Sequence, residues 1–144
     1  MQGVFDLPAL EGGTPVRDKF LVFGSPLIGE EEIQEVTDSL RTGWLGTGPK
    51  DGKFEELVRE YTDAQYAMAL NSCTAGLHLS LIACGVGPDD EVITTPMTFA
   101  STANVIEHVA AKPVFVDVEL NSMNIEPTKI EEKITQKTKA IMPV

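Results

Sequence analysis

The spacing of hydrophobic and polar positions divides the chain into two parts. Between residues 29 and 62, apolar side chains recur at helical spacing, which predicts two amphipathic helices. An acidic turn, Glu30–Glu32, suits the positive end of the first helix dipole, and Gly43 ends that helix. The apolar faces consist of Ile33, Val36 and Leu40 in the first helix and of Phe54, Leu57, Val58 and Tyr61 in the second.

From residue 66 onwards, short apolar runs alternate with helical stretches. Strands are predicted at Tyr66–Asn71, Glu91–Thr95, Pro113–Val118 and Lys139–Val144, and helices at Thr74–Cys84, Thr98–Ala110 and Pro127–Ile134. This alternation predicts an α/β domain with a mainly parallel sheet and helical crossovers. The helix at Thr74–Cys84 is apolar nearly all round, which predicts that it is buried.

Residues 1–28, which precede the first predicted helix, have little periodicity and several glycines and prolines. This composition predicts an irregular N-terminal arm. The α/β domain is then expected to occupy residues 29–144.

Composition and charge narrow the class of protein. Apolar residues make up 42% and charged residues 23% of the 144 residues, which is ordinary for a globular protein and excludes wholesale disorder. The formal net charge of −11 argues against nucleic-acid binding, which needs a surface rich in Lys and Arg. Two cysteines without a CxxC pair predict neither a disulfide framework nor a metal site. Because no signal peptide and no apolar run of ~20 residues is evident, a cytoplasmic protein without a membrane partner is expected.

The segment Asn71–Leu77 carries the most informative chemistry. A predicted strand ends there in small polar residues and turns directly into a helix, whose first N–H groups have no partner within the helix. Those groups, the helix dipole and the hydroxyls of Ser72 and Thr74 can together bind a phosphate. Simple capping of the helix explains the same two hydroxyls, so the residues alone leave both interpretations open.

Two familiar phosphate motifs are absent. Gly43–Gly48 has the glycine spacing of a P-loop, but Pro49 follows where that motif requires lysine. Gly85–Asp90 lacks the third glycine of the dinucleotide fingerprint and follows a helix instead of a strand. Neither an ATPase nor a NAD site is therefore supported.

Phe99 follows the next predicted strand, at the same edge of the sheet. Its ring can stack on a flat cofactor, or it can pack into the core with Ala103 and Ile106, and the helical spacing alone favours the core. Cys73 at a helix start can be an activated nucleophile. Because no histidine is placed to activate it, a small buried thiol is the favoured interpretation.

Several short motifs in fixed order resemble the DegT/DnrJ/StrS family of sugar aminotransferases. They run from about Phe23 to the last residue of the chain. The matching segments are Arg41–Pro49, Asn71–Leu79, Gly85–Ile93, Pro96–Phe99, Lys112–Val118 and Thr138–Val144.

The resemblance implies the aspartate-aminotransferase-like (type I) fold and a homodimer that uses pyridoxal 5′-phosphate. Such enzymes transfer an amino group, typically from glutamate, to a nucleotide-linked keto sugar in polysaccharide biosynthesis. The resemblance places the cofactor phosphate at Cys73, Thr74 and Ala75, with Ser72 as a further contact, and the cofactor ring against Phe99. It places Trp44 and Thr47, in the loop at Trp44–Gly48, near the substrate.

The resemblance reaches Val144 without the lysine that binds the cofactor covalently. Residues 29–144 are therefore expected to be roughly half of a cofactor-binding large domain, inactive alone and prone to self-association through exposed strand edges. Two alternatives stay open. The protein can be a sugar dehydratase of the same fold, or a non-catalytic or regulatory relative that binds a phosphorylated ligand.

Overall fold

The computed structural model describes residues 7–144, which divide into two compact units between Lys50 and Asp51. Of the predicted arm, residues 1–6 lie outside the described residues. The rest of the arm is irregular apart from one 3₁₀ turn at Ala9–Glu11. The predicted boundary between an arm and a domain at residues 28 and 29 stays a prediction.

The first unit contains helix α1, Glu30–Thr42, as the apolar spacing predicts. The N–H of Gly29 donates to a carboxylate oxygen of Glu32 at 2.6 Å and closes the first turn. That hydrogen bond holds the pKa of Glu32 below its ordinary value. Gly43 ends the helix at φ 76°, a left-handed conformation that glycine adopts without strain. The second predicted helix is also confirmed, as α2, Pro49–Thr62.

Three parallel strands form the sheet of the second unit, and the first of them along the chain lies between the other two. In the register, Ile93 of the central strand lies opposite Val114 on one side and Ile141 on the other. The strands are β1, Glu91–Thr94; β2, Lys112–Phe115; and β3, Thr138–Ile141. The predicted α/β class with a parallel sheet is confirmed.

Successive residues of β1 contribute to two separate cores, because side chains alternate across a strand. Val92 packs with residues of helices α3, Cys73–Ala83, and α4, Ser101–His108. Ile93 packs instead with Val116 and Ile125. Because the three strands are parallel, their carboxyl ends lie at one edge of the sheet.

The prediction of a strand at Tyr66–Asn71 is wrong, since this segment does not join the sheet. The backbone N–H and C=O groups of a strand need a neighbouring strand as hydrogen-bond partner, and no described segment pairs with this one. Tyr66 is 80% exposed, and the Ala69 N–H donates to a side chain, that of Glu55, instead of to a strand.

The prediction of an α-helix at Pro127–Ile134 is also wrong. Two 3₁₀ turns, Pro127–Lys129 and Glu131–Lys133, occupy this stretch. Their hydrogen bonds connect each residue to the third one before it, as Ile130 N–H to the Pro127 carbonyl at 3.2 Å. Ile130 packs against the cluster that contains Ile93, whereas Ile134 is 52% exposed, so a short 3₁₀ segment provides the one apolar contact made here.

The helix predicted at Thr74–Cys84 is present as α3, but only one of its faces is buried. Leu81 lies in the core, whereas Leu79 and Ile82 are 45% and 53% exposed. The all-apolar pattern therefore overestimates the burial of this helix within residues 7–144.

Candidate functional site

A cleft of about 390 Å³ opens at the carboxyl edge of the sheet, between the starts of α3 and α4 and the chain that follows β3. We call it the strand-end cleft. It is lined by Cys73, Thr74, Leu77, Thr98, Phe99, Ser101, Thr102, Met142, Pro143 and Val144. Three of the residues predicted to contact the cofactor, Cys73, Thr74 and Phe99, thus line one cavity of a size usual for small-molecule sites.

The start of α3 presents unpaired donors to this cleft. The Ser72 hydroxyl oxygen caps the helix by accepting the Ala75 N–H at 3.1 Å, and the Ser72 carbonyl accepts the Gly76 N–H at 3.2 Å. Among residues 7–144, the N–H groups of Cys73 and Thr74 have no hydrogen-bond partner. These two N–H groups are therefore free for an anion at the positive end of the helix dipole.

The Ala75 N–H and the Ser72 hydroxyl form a hydrogen bond with each other, and neither residue lines the cleft. The Ser72 hydroxyl also donates to the side-chain oxygen of Asn71, at 3.3 Å. Ser72 therefore caps the helix, as the simpler interpretation predicts, and the N–H groups of Cys73 and Thr74 remain available to a ligand. Cofactor contacts by Ser72 and Ala75 stay predictions.

Phe99 is 80% exposed and lies two residues before α4. It does not pack with Ile106, which is fully buried without it. The core interpretation of Phe99 is therefore wrong, and its ring is open to a ligand. The backbone beneath the ring is fixed, since the Phe99 carbonyl accepts the Thr102 N–H at 3.0 Å.

The wall of the cleft opposite Phe99 is formed by Met142–Val144, and none of these residues was predicted to belong to a site. The Met142 N–H donates to the Ile93 carbonyl at 2.8 Å, and the Met142 carbonyl accepts the hydroxyl of Thr94 at 2.9 Å. The signal in the sequence was their position directly after a parallel strand, where such sheets bind ligands.

Hydroxyl groups dominate the polar lining. Thr98 and Thr102 share a hydrogen bond of 2.9 Å between their hydroxyls. No charged side chain lines the cleft, so the negative charge of a ligand would be met by N–H and O–H donors alone.

Cys73 is exposed at the first position of α3, so its interpretation as a buried thiol is wrong. The position explains this, because the first residue of a helix has no preceding turn to cover it. His78 and His108 form an edge-to-face pair with ring centroids 5.8 Å apart, and neither lines the cleft.

Trp44 and Thr47 lie in the loop that follows α1, and both are exposed. A Cβ atom on Gly48 would approach Trp44 Cε3 to 2.6 Å, so glycine is required where the chain passes the indole. Contacts of Trp44 and Thr47 with a substrate stay predictions.

Residues 7–144 contain neither a membrane-spanning helix nor a metal-ligand cluster. No helix there has both the length and the apolar run to cross a bilayer. No group of three or more His, Cys, Asp or Glu side chains in that range is placed to bind a metal ion.

Comparison with known proteins identifies relatives. Residues 26–144 match the model of the DegT/DnrJ/EryC1/StrS aminotransferase family. The chain is 54% identical over 128 residues to the spore coat polysaccharide biosynthesis protein SpsC of Bacillus subtilis, covering 89% of this chain and 33% of the relative. It is 48% identical over 127 residues to the UDP-4-amino-4-deoxy-L-arabinose–oxoglutarate aminotransferase of Shewanella sediminis, covering 88% and 33%.

Solved structures show the same fold. Spr1654 of Streptococcus pneumoniae, a candidate sugar aminotransferase solved in its PMP form, matches with a TM-score of 0.78 and 44% identity, over 85% of this chain and 31% of that one. NtdA of Bacillus subtilis with bound cofactor PMP matches with a TM-score of 0.73 and 34% identity, over 81% and 28%. These matches confirm the predicted type I fold. The chain spans about a third of the length of the curated relatives it matches.

Proposed function

The chain belongs to the DegT/DnrJ/EryC1/StrS aminotransferase family, and from that premise we propose that its strand-end cleft holds the phosphate and ring of pyridoxal phosphate in a sugar aminotransferase. The amino donor is glutamate and the acceptor is a nucleotide-linked keto sugar. The observation that carries the proposal is that Cys73, Thr74 and Phe99, predicted independently of the structure, line one cleft.

The phosphate end of the site fits the start of α3. The free N–H groups of Cys73 and Thr74 and the Thr74 hydroxyl can donate to phosphate oxygens. The absence of charged side chains from the lining does not oppose this, since a helix N-terminus stabilises an anion through its dipole.

The ring end fits Phe99. Its exposed ring borders the same cleft, and the hydrogen bond from Thr102 to its carbonyl fixes the backbone. An aromatic pair in stacked geometry gains about 0.5–1.5 kcal/mol beyond the burial of its area. Phe99 would thereby set the plane of the cofactor.

Pyridoxal phosphate supplies the electron-withdrawing ring and the reactive carbonyl carbon of amino transfer. The lining residues of the cleft bind and orient that group.

The names of two relatives support the choice of acceptor. The names of the Bacillus and Shewanella proteins refer to polysaccharide biosynthesis and to a UDP-linked amino sugar. They support a nucleotide-linked sugar as acceptor, and we place Trp44 and Thr47 near it. We also propose a cytoplasmic homodimer, with residues 29–144 contributing to its large domain.

Equilibrium dialysis of the protein against pyridoxal phosphate and against pyridoxal, which lacks the phosphate, tests the cofactor site. We expect tighter binding of pyridoxal phosphate, weakened about threefold to tenfold by Phe99→Ala, the equivalent of one lost stacking contact. Phe20→Ala is the matched control, because Phe20 is also exposed, at 89%, but does not line the cleft. Equal affinity for the two compounds, or equal losses in the two variants, contradicts the proposal.

The choice of substrates has a separate test in the protein purified from its source. Glutamate is expected to yield 2-oxoglutarate only when a nucleotide-linked keto sugar is present. Consumption of the sugar without glutamate would point instead to dehydration.

A further inference from the structure

One long-range hydrogen bond links α2 to the chain that leads into the strand-end cleft. A carboxylate oxygen of Glu55 accepts the N–H of Ala69 at 2.9 Å, across 14 residues. Both residues are half-buried and both belong to the second unit. This contact does not follow from helix or sheet pairing, so the Glu55 side chain itself creates it.

The segment that Glu55 holds has little other support. Tyr66–Asn71 lies outside the sheet, and its backbone makes no other hydrogen bond with a separate element among residues 7–144. Ser72, three residues after Ala69, caps α3 and begins the turn that presents the free N–H groups. The position of Ala69 therefore sets the entry of the chain into that turn.

The neighbouring Glu56 has a different environment. Its carboxylate accepts two hydrogen bonds from the Arg59 guanidinium of the same helix, and both side chains are about half exposed. The carboxylates of these two adjacent glutamates of α2 therefore make different contacts. Glu55 reaches across to the cleft segment, whereas Glu56 makes only a local ion pair.

We propose that Glu55 is a positioning residue for the phosphate end of the strand-end cleft. By fixing Ala69, it orients the N–H groups of Cys73 and Thr74 toward the phosphate. The inference rests on the proposed function, since it presumes a phosphorylated ligand in that cleft.

Binding of pyridoxal phosphate and of pyridoxal to the protein, with four variants, tests the assignment. Glu55→Ala is expected to lower the affinity for pyridoxal phosphate about tenfold, the equivalent of one hydrogen bond to a charged group, with little change for pyridoxal. Glu55→Gln keeps an acceptor oxygen at the same reach and is expected to restore most of the affinity. Glu55→Asp is shorter by one methylene and is expected to behave like Glu55→Ala. Glu56→Ala is the matched control and is expected to bind as the wild type does.

Amide hydrogen exchange at Ala69 reports on the hydrogen bond without any ligand. Exchange is expected to accelerate in Glu55→Ala and Glu55→Asp and to remain slow in Glu56→Ala. If the wild type itself shows no preference for the phosphorylated compound, the proposed function fails. If the wild type shows the preference and a folded Glu55→Asp keeps all of it, the positioning role of Glu55 is overturned while the cofactor site stands.

Discussion

Thr94 donates its hydroxyl hydrogen to the carbonyl oxygen of Met142 at 2.9 Å, joining the carboxyl ends of β1 and β3. Thr94 is fully buried and Met142 is partly buried, so the bond is partly shielded from solvent. A hydroxyl in the middle of a parallel sheet is costly unless it finds a partner, and here the partner begins the wall of the strand-end cleft.

Thr94→Val removes this hydrogen bond and keeps the shape of the side chain. The half-buried Met142 carbonyl would lose this partner, so we expect a loss of about 0.5–1.5 kcal/mol in the free energy of unfolding. Urea denaturation measures it, and Thr94→Ser, which restores the donor, is the control. A Val variant as stable as the wild type would show that the Met142 carbonyl needs no partner.

Ala110 follows α4 with φ 60°, in the left-handed region that favours glycine. Ala110→Gly relieves the clash of Cβ with the backbone and is expected to stabilise the protein by up to about 1 kcal/mol. Ala103→Gly, in the interior of α4, is the opposite control and is expected to cost about 1 kcal/mol. Thermal unfolding of the two variants should therefore shift in opposite directions.

The sequence predicted those elements whose signal is local. Gly43 ends α1 because a left-handed cap requires it, and Ser72 begins α3 because its hydroxyl accepts a backbone N–H. All four residues of β1 are buried, as is typical of a parallel strand covered on both faces. From these local rules the carboxyl edge of the sheet, and with it Cys73, Thr74 and Phe99, could be placed.

The errors concern features that depend on distant partners. Tyr66–Asn71 has the composition of a strand, but pairing needs a neighbouring strand that no local pattern reveals. Phe99 has the spacing of a core residue, and only the packing around Ile106 shows that the core is complete without it. The contact of Glu55 with Ala69 spans 14 residues and has no signature in the sequence.

Glu91 is buried at the amino end of β1 and is expected to make stability depend on pH. The hydroxyl of Thr135, at 2.7 Å, and the ammonium of Lys112, at 3.2 Å, hold the pKa of the Glu91 carboxyl below its ordinary value. A depressed folded-state pKa contributes stability that is present above the unfolded-state pKa, about 4.3 for glutamate, and is lost as pH falls through the folded-state value.

Glu91→Gln is therefore expected to be less stable than the wild type at pH 7, with a difference that shrinks as the pH falls below about 4. Urea denaturation between pH 7 and pH 3 measures the difference. Glu107→Gln is the control, because the Glu107 carboxylate has no hydrogen-bond partner among residues 7–144. A constant difference between wild type and Glu91→Gln across this range would contradict the assignment.

The apolar faces of the first two helices are expected to drive self-association of the 144-residue chain. On α1 the exposed face consists of Ile33, Val36 and Leu40, and on α2 of Phe54, Leu57 and Tyr61. Contiguous apolar surface of this kind is rarely left in contact with water, because its burial is favourable by about 25 cal/mol per Å². We expect light scattering to show a mass that rises with concentration, and the rise to be reduced when Ile33 and Leu40 are both replaced by Gln. Gln34→Ala alters the same helix outside that face, and this variant is expected to associate as the wild type does. A mass that does not change with concentration, or equal association of all three proteins, would show that the apolar face is not the cause.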